Sequence, residues 1–456
     1  MSISRNWIAE PARAKTSRRH DLELQPWDAV FRGAILVALA ALVYFTLRWR
    51  VFEPVVAAAH EHHWTTFVIR PSLLWALMGT VMLVFRTLLW FRYRTPPAAE
   101  WASAPPLTVV IPAYNEGPMV AASIDSVAAA RYPRERLEIF VVDDGSRDDT
   151  WEHIQAAASR HPGLVTTVRF AKNRGKRAAL EAGFRQARGE VVVTIDSDSV
   201  IEPDTLLAIA GPFRDARVGA VAGKVTVLNR DGGVIPRMLK VRYALTFDFL
   251  RAVQSTYGTV YCCPGALAAY RASVVRKVLD AWMGQRFLGA PSTYGEDRSM
   301  TNFIMGEGFD SVYQRAAVVH TIVPVRYMRL CKMLLRWDRS YVREEFRFAR
   351  EIVWKRRGRA RLIALADVVI SNLRYPVALG SLGILGVIVS AHPLALLRLL
   401  CAVGLMACFN ILYYVRSERS WDFVYGILFS YFSAFSLFWI FPVAVVTVRA
   451  RGWLTR

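Results

Sequence analysis

Carboxylates recur in this chain at spacings that suit metal and proton chemistry. Asp196-Ser197-Asp198 places two hard oxygen ligands at i and i+2, able to face one Mg2+ or Mn2+ ion that also binds a diphosphate. Tyr114-Asn115-Glu116 and Asp143-Asp144-Gly145 are two further polar groups, and Gly295-Glu296-Asp297-Arg298 is a fourth. Taken singly, each also suits a turn or a helix cap, because Asp, Asn and Ser favour those positions. Asp297 precedes RSMTNFIM, a stretch it could cap as a helix. Recurrence favours chemistry, since three of the groups close successive buried apolar runs. The sequence holds no GxxxxGK[ST] loop and no GxGxxG after a strand, so any phosphate must be met by other groups.

The intervening pattern supplies a scaffold. LTVVIPAY (107–114), LEIFVVDDGS (137–146), VTTVRFA (165–171) and EVVVTIDSDS (190–199) predict short strands. Residues 118–130, 148–161 and 176–188 predict the helices between them. This alternation predicts an α/β domain over 101–345, a mostly parallel sheet with helices on both faces, behind a Pro- and Ala-rich linker from Thr95 to Pro106. Ligands of such sheets bind at the carboxyl ends of strands, where the polar groups stand.

The whole chain is unlike a soluble basic protein. Its 456 residues carry 58 Lys+Arg against 37 Asp+Glu, a net charge of +21, yet 54% are hydrophobic and 12% aromatic. That apolarity excludes a disordered polycation and argues against a nucleic-acid partner. Long apolar runs with basic edges predict a membrane protein. Residues 30–47 and 72–91 each approach the ~20 residues that cross a bilayer core, and three more runs lie at about 364–391, 393–414 and 424–448. A buried core helix accounts for one such run, not for five in two clusters.

Stretch 1–27 is too polar and long for the n-region of a signal peptide, so the first run is expected to be an uncleaved anchor. Arg5, Arg13, Lys15, Arg18 and Arg19 before it, and Arg92 and Arg94 after the second, place both ends of this hairpin in the cytoplasm. His60, His62 and His63 between them lack the companions of a structural metal site and suit a solvated loop. Near the C-terminus the signals conflict. Arg416 and Arg419, and then Arg449, Arg451 and Arg456, all favour the cytoplasm, which a single span over 424–448 cannot satisfy. Either that segment, with Pro442 inside it, turns back, or 364–391 combines an interfacial helix with a span. Cys262, Cys263, Cys331, Cys401 and Cys408 show no zinc spacing and are expected to be reduced. The expected division is a basic tail 1–28, a transmembrane hairpin 29–94, the soluble domain 101–345, a basic interfacial helix 346–363, a C-terminal transmembrane cluster 364–448 and a cytoplasmic tail 449–456.

In chain order the motifs run PAYNE, VVDDGS, NRGKRAAL, TIDSDS, FLGAPSTYGEDR and LLRWDRSYVREEF. That order resembles the membrane-integrated, inverting glycosyltransferases with the GT-A fold, and among them hyaluronan synthases and nodulation-type chitin-oligosaccharide synthases. The resemblance covers 107–346 and, more loosely, the flanking apolar runs. The final RGWLTR is similar to the W-G-T-R ending of hyaluronan synthases, with Leu454 in place of their Gly.

The resemblance implies a role for each group. Asp144 with Asp143 faces the uracil of a UDP-sugar, Tyr114 stacks on the base, and Glu116 meets base or ribose. Lys176 contacts the diphosphate. Asp198 is the more direct ligand of Mg2+ or Mn2+, with Asp196 nearer the sugar nucleotide. Asp297, flanked by Glu296 and Arg298 on the acceptor side, is the catalytic base that takes the acceptor proton. Arg336-Trp337 matches the R-W of the family's Q-x-x-R-W, with Met333 where the Gln stands; Arg336 holds the diphosphate and Trp337 carries the acceptor sugar. A basic interfacial helix explains the same stretch, and both can hold. Cys263 lines the acceptor end of the pocket or is a small core residue. Trp453 and Arg456 gate the nucleotide site or belong to a frayed terminus.

The sequence thus points to a processive polysaccharide synthase of the inner (plasma) membrane with a cytoplasmic catalytic domain. It takes a UDP-sugar, UDP-N-acetylglucosamine with or without UDP-glucuronic acid, extends a β-linked acceptor chain, and passes it through its own spans across the lipid bilayer. Two alternatives stand: a non-processive transferase acting on a lipid carrier, and a transport or scaffold protein with a degenerate sugar-nucleotide domain. The intact D-D-G, D-x-D and G-E-D groups argue against the second.

Overall fold

A computed structural model describes residues 26–50, 53, 71–355, 358–391, 393 and 395–450. The strands follow the apolar runs. All seven residues of β1 (Leu107–Ala113) are buried, as a strand covered on both faces must be. β2 (Leu137–Asp143), β3 (Val165–Arg169), β4 (Val191–Thr194) and β5 (Ser199–Ile201) come next. β6 (Val218–Val227), β7 (Ala268–Arg271), β8 (Arg286–Phe287), β9 (Ala290–Pro291) and β10 (Asp310–Thr321) complete the set. β8 and β9 form a separate hairpin, and the other eight make one sheet in the order β3-β2-β1-β4-β7-β6-β10-β5.

The sheet is mixed rather than mostly parallel. β3, β2, β1 and β4 pair in parallel, as the alternation of strand and helix predicts, but β7 enters antiparallel between β4 and β6, and β5 runs antiparallel to β10. The link between β4 and β5 explains the shape. Only residues 195–198 join two strands that stand fourth and eighth in the order. Four strand spacings in a flat sheet span roughly 19 Å, while so short a link reaches at most about 17 Å. The sheet therefore curls, and Asp196-Ser197-Asp198 sits where it closes on itself.

Helices Met119–Ala128, Thr150–Arg160 and Lys176–Gln186 connect the parallel strands, and Val109, Ile111, Ile124, Ile139, Val141 and Ile154 pack in the core between them. A longer helical run, Val234–Ser255, widens to a π-helical turn at Ala244–Phe249. Helix Tyr327–Arg347 is amphipathic, burying Leu330, Cys331, Met333 and Leu334. The predicted helix 346–363 is not one helix. Its first residues end Tyr327–Arg347, a π-helical turn follows at Phe348–Ile352, and a new helix starts at Gly358. The stretch breaks because Phe348, Ile352 and Val353 turn inward against Tyr257 and Tyr261.

Pro26–Arg48 and Pro71–Arg92 precede this domain; Gly358–Ala391, Ala395–Glu418, Phe423–Ser436 and Ile440–Val446 follow it. Among the described residues no single helix is long and apolar enough to cross a membrane, whereas Phe423–Ser436 and Ile440–Val446, bent by 49°, meet that test together. The bend redirects the chain without reversing it. Buried ion pairs tie these helices to the domain and to each other. Arg86 meets Asp367 at 2.9 Å, and Asp422 meets Arg230 at 2.9 Å and Lys240 at 3.2 Å. The histidines at 60, 62 and 63, the basic residues of the first 25, and Trp453 and Arg456 lie outside the described residues.

Candidate active site

The site grows from the strand ends. After β2, Gly145 has φ +71°, and a Cβ there would lie 2.6 Å from the Lys172 carbonyl carbon, so the turn after Asp144 needs glycine. Asp143 is fully buried; its Oδ1 accepts the Ser146 N–H at 3.0 Å, and its Oδ2 faces Arg169 Nε at 3.2 Å. Asp144 spends both oxygens on the loop before Lys176. Oδ1 accepts the Arg174 N–H at 2.7 Å; Oδ2 accepts the Gly175 N–H at 2.8 Å and Asn173 Nδ2–H at 3.0 Å. Burial pushes this carboxyl above its ordinary value, although the two N–H groups pull the other way. At the end of β1, the Asn115 N–H donates to Ser146 Oγ at 3.0 Å and the Glu116 N–H to Thr150 Oγ1 at 2.8 Å. Tyr114 and Glu116 stand half-buried at this mouth.

Lys176 starts its helix directly after the loop that Asp144 organises. Its Nζ lies 2.5 Å from Asp196 Oδ1 and 3.3 Å from Glu296 Oε1. Burial alone would weaken the ammonium, but Asp196, Glu296 and Asp297 outweigh it and keep its pKa raised. Asp198 Oδ1 accepts the hydroxyls of Ser199 and Thr321, each at 3.2 Å.

Asp297 comes from the opposite wall. Its helix runs Glu296–Gly306 and its cap position is Gly295, at φ +74°, so Asp297 is not the cap. Its Oδ1 accepts the Arg298 N–H at 2.7 Å, while Oδ2 accepts the Gly265 N–H at 3.2 Å and Cys262 Sγ–H at 3.6 Å. Lys176, Thr194, Asp196, Gly265, Glu296 and Asp297 all line one small cavity. The two adjacent carboxyls diverge inside it. Burial raises both, but Lys176, Arg336 and Arg177 hold Glu296 below its ordinary value. Asp297, beside the Glu296 charge, stays raised, and Lys176 offsets this only in part.

Arg336 reaches the site electrostatically, through Glu296. Trp337 is half-buried, its ring centroid 6.2 Å from those of Tyr243 and of Phe247, the latter in the π-helical turn. Arg298 lies over the Tyr341 ring at 5.1 Å. Glu296 faces Lys176, its Oε1 3.3 Å from the ammonium. Cys263 is fully buried in a core cluster with Ala268 and Tyr270, and the thiol at the Asp297 carboxylate is Cys262.

A buried network that no local sequence pattern announces stands behind the site. Glu344 Oε1 accepts Arg343 Nε–H at 2.9 Å and Gln285 Nε2–H at 2.8 Å, and Asn302 Nδ2–H donates to Glu344 Oε2 at 3.1 Å. Partners 59 and 42 residues apart leave no local signal. The Tyr294 hydroxyl also donates to Ala450 O at 2.8 Å, bringing the last described residue to the wall that carries Asp297.

Among the described residues no three His, Cys, Asp or Glu side chains converge as a closed metal site. Asp196 and Asp198 instead fit the mode in which Mg2+ or Mn2+ takes one or two protein carboxylates and is completed by a diphosphate and water.

Known proteins share this chain's sequence and fold. Residues 108–279 match glycosyl transferase family 2. An N-acetylglucosaminyltransferase of Rhizobium sp. (strain N33) is 31% identical over 400 residues, covering 84% of this chain and 85% of the relative. One of Rhizobium meliloti (strain 1021) is 37% identical over 249 residues, covering 54% of this chain and 58% of that relative, so here the match spans little more than half of its length. The mannosyltransferase PcManGT of Pyrobaculum calidifontis shares the fold at a TM-score of 0.56, with 22% identity, 81% of this chain and 98% of that one. By its family match and by a relative aligned along most of both chains, this chain belongs to glycosyl transferase family 2.

Proposed function

We propose that the protein transfers N-acetylglucosamine from its UDP-sugar, with or without alternating glucuronic acid, to a growing β-linked chain with inversion. The observation that carries the reading is one cavity with Lys176 and Asp196 on one wall and Asp297 on the other. The names of its relatives support the donor sugar.

In this mechanism Tyr114, Glu116, Asp143 and Asp144 hold the nucleoside end of the donor. Asp144 also fixes the 173–175 loop and so sets the position of Lys176. Asp196 and Asp198 would hold Mg2+ or Mn2+, which neutralises charge on the diphosphate when bound; PcManGT was solved with GDP-Man and Mn2+. Asp297 accepts the proton of the acceptor hydroxyl as that oxygen bonds to the anomeric carbon. The bond from that carbon to the diphosphate oxygen breaks on the opposite face. Its electron pair leaves with UDP, whose charge Lys176 and Arg336 meet. Trp337 carries the acceptor sugar on the face of its ring, and Arg298 borders it.

The same reading places the flanking helices in the inner membrane with the catalytic domain in the cytoplasm, and lets the product leave between them. Large apolar side chains exposed along Pro26–Arg48 and Pro71–Arg92, among them Val37, Leu47, Leu77 and Leu88, support this. Trp453 and Arg456 then close the nucleotide site from the tail that Ala450 begins.

The test is incubation of membranes with single UDP-sugars and Mg2+ or Mn2+, reading UDP release and product length. Asp297→Asn is expected to lose about 10²–10⁴-fold in UDP release, the usual worth of a general base. UDP release at the parent rate sinks the base assignment. Products no longer than one sugar on a lipid sink processivity in favour of the lipid-carrier alternative. Full activity in excess chelator sinks the metal.

A further inference from the structure

The β8–β9 hairpin, just before the catalytic helix, has a two-residue turn, Leu288-Gly289, with φ +47° and +78°. Positive φ at both positions is the geometry that Asn-Gly suits best; a leucine there is strained. This leucine is also 63% exposed. A side chain that neither fits its backbone nor enters the core calls for another environment.

Its neighbours point to which one. Phe287 packs edge-on against Phe346, ring centroids 6.1 Å apart, and Phe346, at the C-terminal end of Tyr327–Arg347, is itself 56% exposed. Trp354, 59% exposed, and Leu362, also exposed, follow where the chain enters Gly358–Ala391. Ile322, Val325, Tyr327 and Met328 form a second exposed apolar group at the N-terminal end of the same amphipathic helix. There the Tyr327 hydroxyl donates to Ser436 O at 2.7 Å, in the bent helix pair. Trp101 apart, every exposed large apolar side chain among the described residues between 101 and 355 lies at one end of this helix or on the hairpin beside it. Both ends therefore adjoin helices read above as membrane spans. Exposed Arg286, Arg350, Lys355 and Arg361 lie in the same segments as the C-terminal group, Arg350 over the Phe346 ring at 5.9 Å, and Glu351 pairs with Arg350 at 2.5 Å.

We infer that the Leu288 hairpin tip inserts into the headgroup–acyl boundary of an anionic bilayer, fixing the catalytic helix Glu296–Gly306 at a set height above the membrane. The inference rests on the membrane reading. Cationic groups around a few apolar side chains are the composition of such contacts, and only seven residues separate Leu288 from Glu296.

The test uses the full chain in vesicles of phosphatidylcholine and phosphatidylglycerol. An environment-sensitive fluorophore is placed on Leu288→Cys in a Cys408→Ser background, and in separate samples on native Cys408 and on Ser159→Cys, an exposed position in Thr150–Arg160. Nitroxide lipids quenching position 288 and a blue shift relative to position 159 are expected. A water-like, unquenched label at 288 with a quenched label at Cys408 overturns this inference and leaves the membrane reading standing. Labels unquenched at both overturn the membrane reading as well. Shielding at 288 only during turnover assigns the tip to the product chain and also overturns it. Leu288→Asn adds an independent readout: it is expected to raise thermal stability in detergent while lowering turnover in vesicles. A purely structural leucine would lower both.

Discussion

Asp297 and Glu296 are adjacent yet poised for different work, because one lies against cations and the other against Glu296. A base with a raised pKa loses activity as pH falls through that raised value, since only the carboxylate accepts the acceptor proton. The acid limb of the rate profile is therefore expected above the ordinary carboxylate range of about 4, and Lys176→Ala, which removes the offsetting charge, is expected to move it higher. An unchanged limb in Lys176→Ala would show that another group limits the rate. The same substitution is expected to lower turnover by about 10²–10³-fold, as removal of one charge-stabilising donor does. These residues were legible in the sequence because the motifs that hold them come in a known order. Cys262 was not, because only the fold decides which of two neighbouring thiols faces Asp297. Nor was the second duty of Asp144, whose partners are backbone N–H groups.

Two helices meet behind Asp297, and Gly295 makes their approach possible. A Cβ on Gly295 would overlap Ser340 Oγ, and φ +74° adds strain to any other residue. Gly295→Ala is expected to destabilise the protein by about 1–3 kcal/mol and to cost turnover beyond that loss, by shifting Asp297 relative to Trp337; thermal melts beside initial rates check this. Farther along the second helix, burial pushes the Glu345 carboxyl up to about 7, with Arg298 opposing. Its folded-state pKa exceeds its unfolded one, so its share of stability is full below the ordinary value and is lost as pH rises to about 7. Glu345→Gln is expected to flatten the melting temperature over that window and to raise it at pH 8. A parallel pH curve for variant and parent would show that Glu345 is ionised throughout. At this scale the parallel half of the sheet could be read from the alternation of strand and helix. The other half could not, because β7 is four residues long, enters antiparallel, and lies in the sheet between strands distant from it in sequence. The amphipathic helix begins at Tyr327, ahead of the basic run that marks it in the sequence, because its apolar face starts at Leu330.

Across the molecule, the net charge of +21 becomes a set of joints rather than a uniform coat. Arg86, on Pro71–Arg92, donates to Asp367 at 2.9 Å and to Ser371 at 2.7 Å on Gly358–Ala391, and Asp367 also takes the Tyr257 hydroxyl at 3.3 Å from the catalytic domain. One carboxylate thus joins a helix before the domain, a helix after it, and the domain itself. Arg86 and Asp367 are nearly buried, at 16% and 3% side-chain exposure, so either charge left alone would be uncompensated. Removing one partner of such a pair costs about 3–5 kcal/mol, while replacing both with apolar groups of similar size is near neutral. Arg86→Met and Asp367→Leu are therefore each expected to lower the melting temperature in detergent by more than the double variant does. If the joint also aligns the two halves of the flanking helices, the double variant will keep its fold but make shorter products, since the surrounding helices would be free to shift against the domain. A double variant less stable than both singles would show that the ion pair gives net stability, and normal product length in it would confine the joint to stability alone.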